Sequence, residues 1–334
     1  MIRIDTELIF SLIEKNGFRS VGLSAPDGIL YKLPEVAREI ENRYPGVSVF
    51  VFLEATYGTC DLQNAEADRL NLDAVFNIGH STDIPKMGTK TFLIGAEYDV
   101  DVEAAMATAA EVLRSHGHTK VGLITTSNYR GAIARAEAIL TAAGFEVVKS
   151  KPFPSLFEGQ VFGCNYYAPR NSNAEAFLFI GQSMFHAAGI YLSTQKPTYL
   201  VDPHFGEVTD VKEEGDKMYK KAVLGIYKAK GGDKFGIIVG LREGQSFRAK
   251  GEWFKTRLSQ LGKVATLMAL RDISPARINL IRDYDAFIEL GCPRIPMADR
   301  GFEKPLLSYP QGLALVRLLE GKDIGDIFNM NVWA

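Results

Sequence analysis

The sequence predicts an α/β protein of three homologous domains, each a small parallel sheet with flanking helices, arranged around a pseudo-threefold centre. Three observations carry that expectation. Short apolar runs containing a glycine recur in register three times along the chain. Stretches of helical periodicity with charged faces separate them. One cysteine falls in each repeat, always in a segment that follows a strand.

The first set of runs is SVGLSAP (20–26), KVGLITT (120–126) and KFGIIVG (234–240), whose glycines Gly22, Gly122 and Gly236 lie 100 and 114 residues apart. A second set is VFNIGHS (75–81), FLFIGQS (177–183) and FIELGCP (287–293). Its glycines Gly79, Gly181 and Gly291 follow the first set by 57, 59 and 55 residues. Two landmarks kept in register over three segments mark a repeat rather than a chance match. Between them, 30–44, 131–143 and 247–261 read as helices. Each is followed by a further strand, VSVFVFL (47–53), FEVVKSKP (145–152) and VATLMAL (264–270). A fourth strand ends each segment, TFLIGAEYD (91–99), TYLVDP (198–203) and PLLSYP (305–310). Near-continuous apolar strands separated by helices are the pattern of a parallel sheet covered on both faces. The expected domains are 1–100, 101–210 and 211–334.

Composition narrows the function. With 46% hydrophobic and 23% charged residues, the chain is an ordinary globular one of 334 residues. A formal charge of −2 excludes a bulk polyanion binder, so no direct nucleic-acid partner is expected. MIRIDTELIF has no apolar core or small-residue cleavage site of a secretory signal. Residues 176–195 lack Asp, Glu, Lys and Arg but carry Gln182, Ser183, His186, Ser193 and two glycines. They read as strand, turn and helix, not a membrane span. A cytoplasmic protein without a membrane partner is expected.

Cys60, Cys164 and Cys292 are odd in number and contain no CxxC, which argues against a disulfide framework or a local zinc ribbon. Cys60 and Cys164 follow the second strand of their repeats at corresponding positions. Cys292 follows the third strand, directly after Gly291, where the other repeats have His80 and Gln182. Ligands of parallel sheets bind where such loops converge. A lone cysteine reads as core packing; one per repeat, each at a loop tip, reads as a set. Brought to one point, three thiolates suit a [4Fe–4S] cluster with one iron open to substrate, or a zinc site with His80 as fourth ligand. The chain has no GxGxxG after a strand, no GxxxxGK[ST], no HExxH, no GxSxG and no CxxxCxxC.

Tyr57-Gly58-Thr59-Cys60-Asp61, Ile78-Gly79-His80-Ser81 and Gly291-Cys292-Pro293-Arg294 resemble the motifs of the archaeal diphthamide synthase family, the 2-(3-amino-3-carboxypropyl)histidine synthases of non-classical radical S-adenosylmethionine chemistry. The resemblance spans essentially the whole chain. It implies a homodimer with a [4Fe–4S] cluster on Cys60, Cys164 and Cys292 in each subunit. It also implies S-adenosylmethionine as co-substrate, cleaved at the methionine γ-carbon, a histidine of elongation factor 2 as acceptor, and an electron donor it does not identify. The loop Gly240-Leu241-Arg242-Glu243-Gly244-Gln245 departs from the family's shorter, glycine-rich version. Quinolinate synthase shares the three-domain, three-cysteine plan and is the rival reading; a zinc-stapled or metal-free binding protein is the non-enzymatic one.

Candidate S-adenosylmethionine contacts are Tyr57, His80, Ser81, Gln182, Ser183 and Arg294. Ser81 reads equally as the cap of a following helix, and Arg294 as a carboxylate clamp or an interdomain ion pair. Backbone amides at the helix starts after these strand ends suit the carboxylate. Arg242 and Gln245 are weaker versions of the same idea. Tyr57, Tyr166 and Tyr167 flank cysteine loops and read as cluster cover, an adenine platform or core. His186 reads as a core histidine, His116 and His118 as a solvent-exposed turn, and His204 is left open. Residues 212–230 read as a solvated helix face, with docking of the protein substrate as a second use.

Overall fold

A computed structural model describes residues 2–84, 86–151 and 153–334. Among the described residues, three larger sheets form beside one two-stranded sheet; each of the three comes from one stretch of chain, and they share a strand order. In the first, Ser48–Val51, Ser20–Ser24, Ala74–Ile78 and Thr91–Ile94 lie side by side and parallel. The second runs Glu146–Val148, Lys120–Thr125, Ala176–Ile180 and Thr198–Asp202. The third runs Val264–Leu270, Lys234–Gly240, Ala286–Glu289 and Leu306–Leu307. Counted within each repeat the order is 2-1-3-4, a doubly wound arrangement whose switch point lies between the first and third strands. The loops leaving those two strands are where a ligand crevice opens.

The landmark glycines have a packing reason. A Cβ on Gly22, Gly122 or Gly236 would come under 3.0 Å from the ring of Phe52, Phe177 or Phe287 respectively. Phe177 and Phe287 sit directly across from Gly122 and Gly236 in the neighbouring strand. Each ring is laid flat over its glycine, and the first strand can carry no side chain there. Gly79, at the end of its strand, takes φ +97°, a conformation glycine adopts without strain.

Several elements differ from expectation. The helix read over 30–44 is two, Asp27–Leu30 and Leu33–Arg43, with Pro34 at the start of the second. The strand read over 91–99 leaves the sheet at Gly95; Ala96–Tyr98 instead pairs antiparallel with Ile2–Ile4. The strand read over 145–152 ends at Val148, and residue 152 lies outside the described residues. That read over 305–310 shortens to Leu306–Leu307 because Ser308 and Gln311 form a capping box on Tyr309–Leu319. Two sheets also carry short antiparallel edges, Lys86–Met87 and Glu207–Asp210. Lys212–Lys230 is one helix with a solvated face carrying the pairs Lys212–Asp216 and Glu213–Lys217, and an inner face of Gly215, Ala222, Ile226 and Ala229. No helix among the described residues is long and apolar enough to cross a membrane.

The core follows from the strands. Phe177, Phe179, Phe235, Phe254, Phe328 and Trp333 join one cluster that runs from the second sheet into the third, so these two share a buried interior. The Gly122 pairing is directly testable. Gly122→Ala forces a methyl against Phe177 and should cost about 1–3 kcal/mol, read as a lower urea midpoint at unchanged slope.

Candidate metal centre

The Cys60 and Cys164 loops are fixed by groups from another part of the fold, the Cys292 loop by its own strand end. The Cys60 carbonyl accepts from the Gly244 N–H at 2.9 Å, and its Sγ receives the Gln245 side-chain amide at 3.3 Å. Next to it, Asp61 forms an ion pair with Arg242, fully buried on the Asp side and nearly so on the Arg side. Arg242 also lies 4.3 Å above the Tyr57 ring and donates from Nε to the Arg271 carbonyl at 3.2 Å. The Cys164 carbonyl accepts from Trp333 N–H at 2.9 Å, and Tyr166 N–H donates to Asn331 at 2.8 Å. Trp333 is buried between Tyr166 and Phe328, at centroid distances of 4.5 and 4.8 Å. At Cys292, the buried Glu289 accepts from the N–H groups of Gly291 and Cys292 at 2.5 and 2.8 Å.

All three thiols are free and keep part of their surface open. They share one electrostatic environment. Burial, then the charges of Cys60 and Cys292, push the Cys164 thiol far up. Burial, then Glu289, push Cys292 up to about 12, and Cys60 adds to it while the backbone N–H groups of Arg294 and Ile295 pull the other way. Cys60 is raised by burial and eased by Gln245. The three cysteines thus lie within electrostatic reach of one another, in one neighbourhood of the fold.

What that neighbourhood can hold follows from the donors. Among the described residues, no three His, Cys, Asp or Glu side chains close tightly enough to hold a single metal ion. The Cys₃His grouping of the zinc alternative is therefore not formed among the described residues; His80 Nδ1 is 3.1 Å from Asn77 Oδ1, and Asn77 in turn donates to the Asp61 carbonyl. Three buried polar atoms lack a hydrogen-bond partner in these loops: Asp61 Oδ1, Tyr166 Oη and Glu289 Oε2. They stand one, two and three residues from Cys60, Cys164 and Cys292 respectively. A buried orphan costs about 1–3 kcal/mol, and one stands close in sequence to each of the three cysteines. Three thiolates in one neighbourhood fit an iron–sulfur cluster.

Beside the thiols a cleft of about 620 Å³ opens, lined among others by Tyr57, His80, Arg242, Arg271, Asp272 and Arg294. Of the residues singled out from the sequence, Tyr57, His80 and Arg294 meet here. No carboxylate among the described residues pairs with Arg294, so the interdomain ion pair is not formed. An amide oxygen only accepts, so the contact with Asn77 puts the His80 proton on Nδ1 and leaves Nε2 as an acceptor. Burial lowers His80 to about 4, keeping the ring neutral.

Ser81, Gln182 and Ser183 are not on this lining. No helix follows Ser81 for it to cap, because the chain turns into the short Lys86–Met87 edge; its carbonyl accepts from Gln160 at 2.9 Å. A helix start is therefore absent at this strand end too. Gln182 is tied to Asp202 and Tyr129 at 3.0 and 3.3 Å. Ser183 is the cap that Ser81 is not, accepting from His186 N–H at the start of Met184–Thr194. His186 is half-buried, with Nδ1 2.6 Å from Ser183 Oγ and its ring parallel to Phe179. Burial, then Arg294, lowers it to about 4.

His118 departs from the exposed turn read for it: its Nε2 lies 3.2 Å from the Tyr199 hydroxyl, because the edge of the second sheet brings that ring underneath. His116 is exposed, and His204 packs edge-on to Tyr98 and Tyr129. Tyr167 packs on Phe153. Sequence reasoning passed over Asp61, Glu289 and the C-terminal residues 331–333. The first two were in plain view beside the cysteines, whereas the tail carries no periodic signal.

The fold and site together define an α/β protein of three mostly parallel sheets, with one free cysteine following a strand of each. The chain belongs to the diphthamide synthesis protein family, whose model matches residues 25–322. It is 27% identical over 321 residues to the 2-(3-amino-3-carboxypropyl)histidine synthase of Pyrococcus horikoshii, covering 96% of this chain and 92% of that one. Subunit 1 of the same-named enzyme from Encephalitozoon cuniculi is 27% identical over 91% of this chain and 86% of its own. The crystal structure of Dph2 from Pyrococcus horikoshii with a 4Fe-4S cluster matches at TM-score 0.88 and 26% identity, covering 99% of this chain and 95% of that one.

The Asp61–Arg242 pair makes a prediction with a defined pH sign. Burial alone raises Asp61, and Arg242 opposes that rise. Arg242→Met leaves a buried carboxylate unpaired and should cost about 3–5 kcal/mol at neutral pH. The variant's folded Asp61 titrates still further above the unfolded value, so the loss is full above the variant's folded titration point and shrinks as pH falls through it toward the parent's, itself above the unfolded value of about 4. Urea titrations of parent and variant at neutral and acid pH check both halves.

Proposed function

We propose that this chain is a 2-(3-amino-3-carboxypropyl)histidine synthase acting on elongation factor 2, with a [4Fe–4S] cluster on Cys60, Cys164 and Cys292. The observation that carries the reading is three free thiols in mutual electrostatic reach, each with an unpartnered buried polar atom in its loop. The resemblance of the chain to enzymes of that name supports it. When bound and reduced, the cluster supplies the electron that breaks the bond between the sulfonium and the methionine γ-carbon. The cleavage would leave methylthioadenosine, and the resulting 3-amino-3-carboxypropyl radical would add to an imidazole carbon, whose hydrogen then leaves as a proton while the electron returns to the oxidised cluster.

The chain's own residues select which bond is presented. Arg294, exposed on the cleft and unpaired, takes the methionine carboxylate through its two-pronged guanidinium. His80 Nε2 accepts from the ammonium group. Tyr57, backed by Arg242 on one face, offers its other face to adenine. Holding both ends of the co-substrate fixes the carbon–sulfur bond that faces the thiols, and such orientation is worth several kcal/mol. The same reading carries domains 1–100, 101–210 and 211–334, a homodimer, a cytoplasmic location and a separate electron donor.

Protein reconstituted without oxygen, reduced and given S-adenosylmethionine should release methylthioadenosine. Replacing any one of the three cysteines by alanine should lower bound iron and cut that release by at least about 100-fold. Exclusive release of 5′-deoxyadenosine would contradict the bond selectivity. Formation of quinolinate from iminoaspartate and dihydroxyacetone phosphate would favour the rival.

A further inference from the structure

Cys164 sits in a tight turn. Phe162 and Asn165 exchange both backbone hydrogen bonds, at 3.2 and 3.0 Å, with Gly163 and Cys164 between them. The turn belongs to the stretch 149–166, which holds no helix and no extended strand. A connection of that length takes its position from whatever it is tied to.

Residues 331–334 tie it. Tyr166 N–H donates to the Asn331 carbonyl at 2.8 Å, and Trp333 N–H donates to the Cys164 carbonyl at 2.9 Å. Asn165 and Val332 lie opposite each other between these bonds, antiparallel. The segment therefore adds a strand to the edge of the cysteine turn that faces away from Phe162. It is itself bolted to the third repeat. The Trp333 side chain is fully buried, with its ring 4.8 Å from Phe328 and its Nε1–H donating to the Phe328 carbonyl at 3.2 Å. Lys250, on the helix Arg248–Gln260, donates to the Ala334 carbonyl at 2.6 Å and lies 4.1 Å over the Tyr309 ring. On the second repeat, Arg170 Nε holds Asn331 Oδ1 at 2.9 Å. A strand fixed on both sides carries the position of one repeat to the other. Cys60 is referred to the same frame, since its carbonyl accepts from Gly244 of the third repeat. The repeat that carries Cys292 thus sets where the other two cysteines stand.

We propose that residues 331–334 are a strap that positions Cys164 as a cluster ligand, with the Trp333 N–H as the positioning group. The proposal rests on the cluster reading above. None of the four residues lines the cleft, so the strap acts through Cys164 alone. The Cys60 and Cys292 loops keep their own contacts, with Gly244 and Glu289, when the strap is loosened. Its loss is therefore felt at one thiol of the three.

Two loosened chains test this: a full-length semisynthetic chain in which an ester replaces the Val332–Trp333 amide, and Asn331→Leu. The ester removes one N–H and keeps the indole. Asn331→Asp, which retains the oxygen that Arg170 holds, is the conservative control. Iron-free protein is treated with iodoacetamide, and labelling is followed at each cysteine by mass spectrometry. In both loosened chains Cys164 should label at least about 5-fold faster than in the parent, the factor that one ordinary hydrogen bond controls. Cys60 and Cys292 in the same molecules should keep their parent rates, and Asn331→Asp should match the parent. Loaded with iron and sulfide, the loosened chains should also surrender iron to a chelator at least about 5-fold faster than the parent. Unchanged labelling of Cys164 overturns the proposal, and so does equal acceleration at all three cysteines, which marks general loosening. Iron retained as in the parent overturns it too, while leaving the cluster reading intact. A parent that takes up neither iron nor sulfide overturns the cluster reading, and the ligand role of the strapped thiol with it. Should the ester chain fail to fold, Asn331→Leu set against Asn331→Asp decides by the same measurements.

Discussion

The constraint on which this structure depends is the burial of three cysteines, each delivered by a different sheet and within electrostatic reach of the others. Thiols in apolar surroundings resist ionisation, and three together resist it more. Burial raises all three here, and for Cys164 and Cys292 neighbouring thiol charge adds to it. The fold must therefore hold the loops against a repulsive electrostatic tendency. It does so with backbone bonds that cross from one repeat to another: Gly244 to Cys60, and Trp333 to Cys164. The first two repeats are tied in the same way, through Ser127 to the Gly79 carbonyl and Gln160 to the Ser81 carbonyl. A carbonyl gripped by a distant N–H cannot swing its side chain away. Convergence is thus fixed through the backbone, and the sulfurs are left free to bind.

The polar atoms around the sulfurs follow from the same constraint. A site that is to accept thiolates needs donors and positive charge nearby, and Gln245, the amides of Arg294 and Ile295, and the Arg242 guanidinium supply them. Arg242 has two further roles, because it neutralises Asp61 and lies over Tyr57. One guanidinium therefore couples the charge of the first cysteine loop to the platform at the mouth of the cleft. Lysine could not do this, since a point charge lacks the planar face and the fork of donors.

Much of the fold was legible because its signals are local and repeated. The glycines at 22, 122 and 236 could be aligned by eye, and the structure gives their reason in the rings of Phe52, Phe177 and Phe287. The cysteines could be grouped because each follows a strand, and strand ends of a parallel sheet gather on one side. What escaped was whatever depends on a distant partner. Nothing in TFLIGAEYD shows that the chain leaves its sheet at Gly95 to meet the N-terminal strand. Ser81 and Ser183 look alike in sequence, yet only the second has a helix to cap, because the segment after Ser81 folds back as a hairpin edge. The loop at 240–245 carries no periodic signal, yet it is the segment that reaches across to Cys60.

The third repeat's departure from the other two explains why the centre is open on one side only. In the first two repeats the cysteine follows the second strand; in the third it follows the third strand, and the second-strand loop is free for other uses. That loop carries Arg271 and Asp272 into the cleft, opposite Tyr57 from the corresponding loop of the first repeat. The second repeat contributes nothing to this lining. Its Cys164 loop is instead covered by Tyr166, Trp333 and the last residues of the chain. A strictly threefold arrangement would present three equal approaches to the sulfurs. Moving one thiol along its sheet breaks that equivalence, leaving a charged, accessible mouth between the first and third repeats and a dry, aromatic wall behind the second.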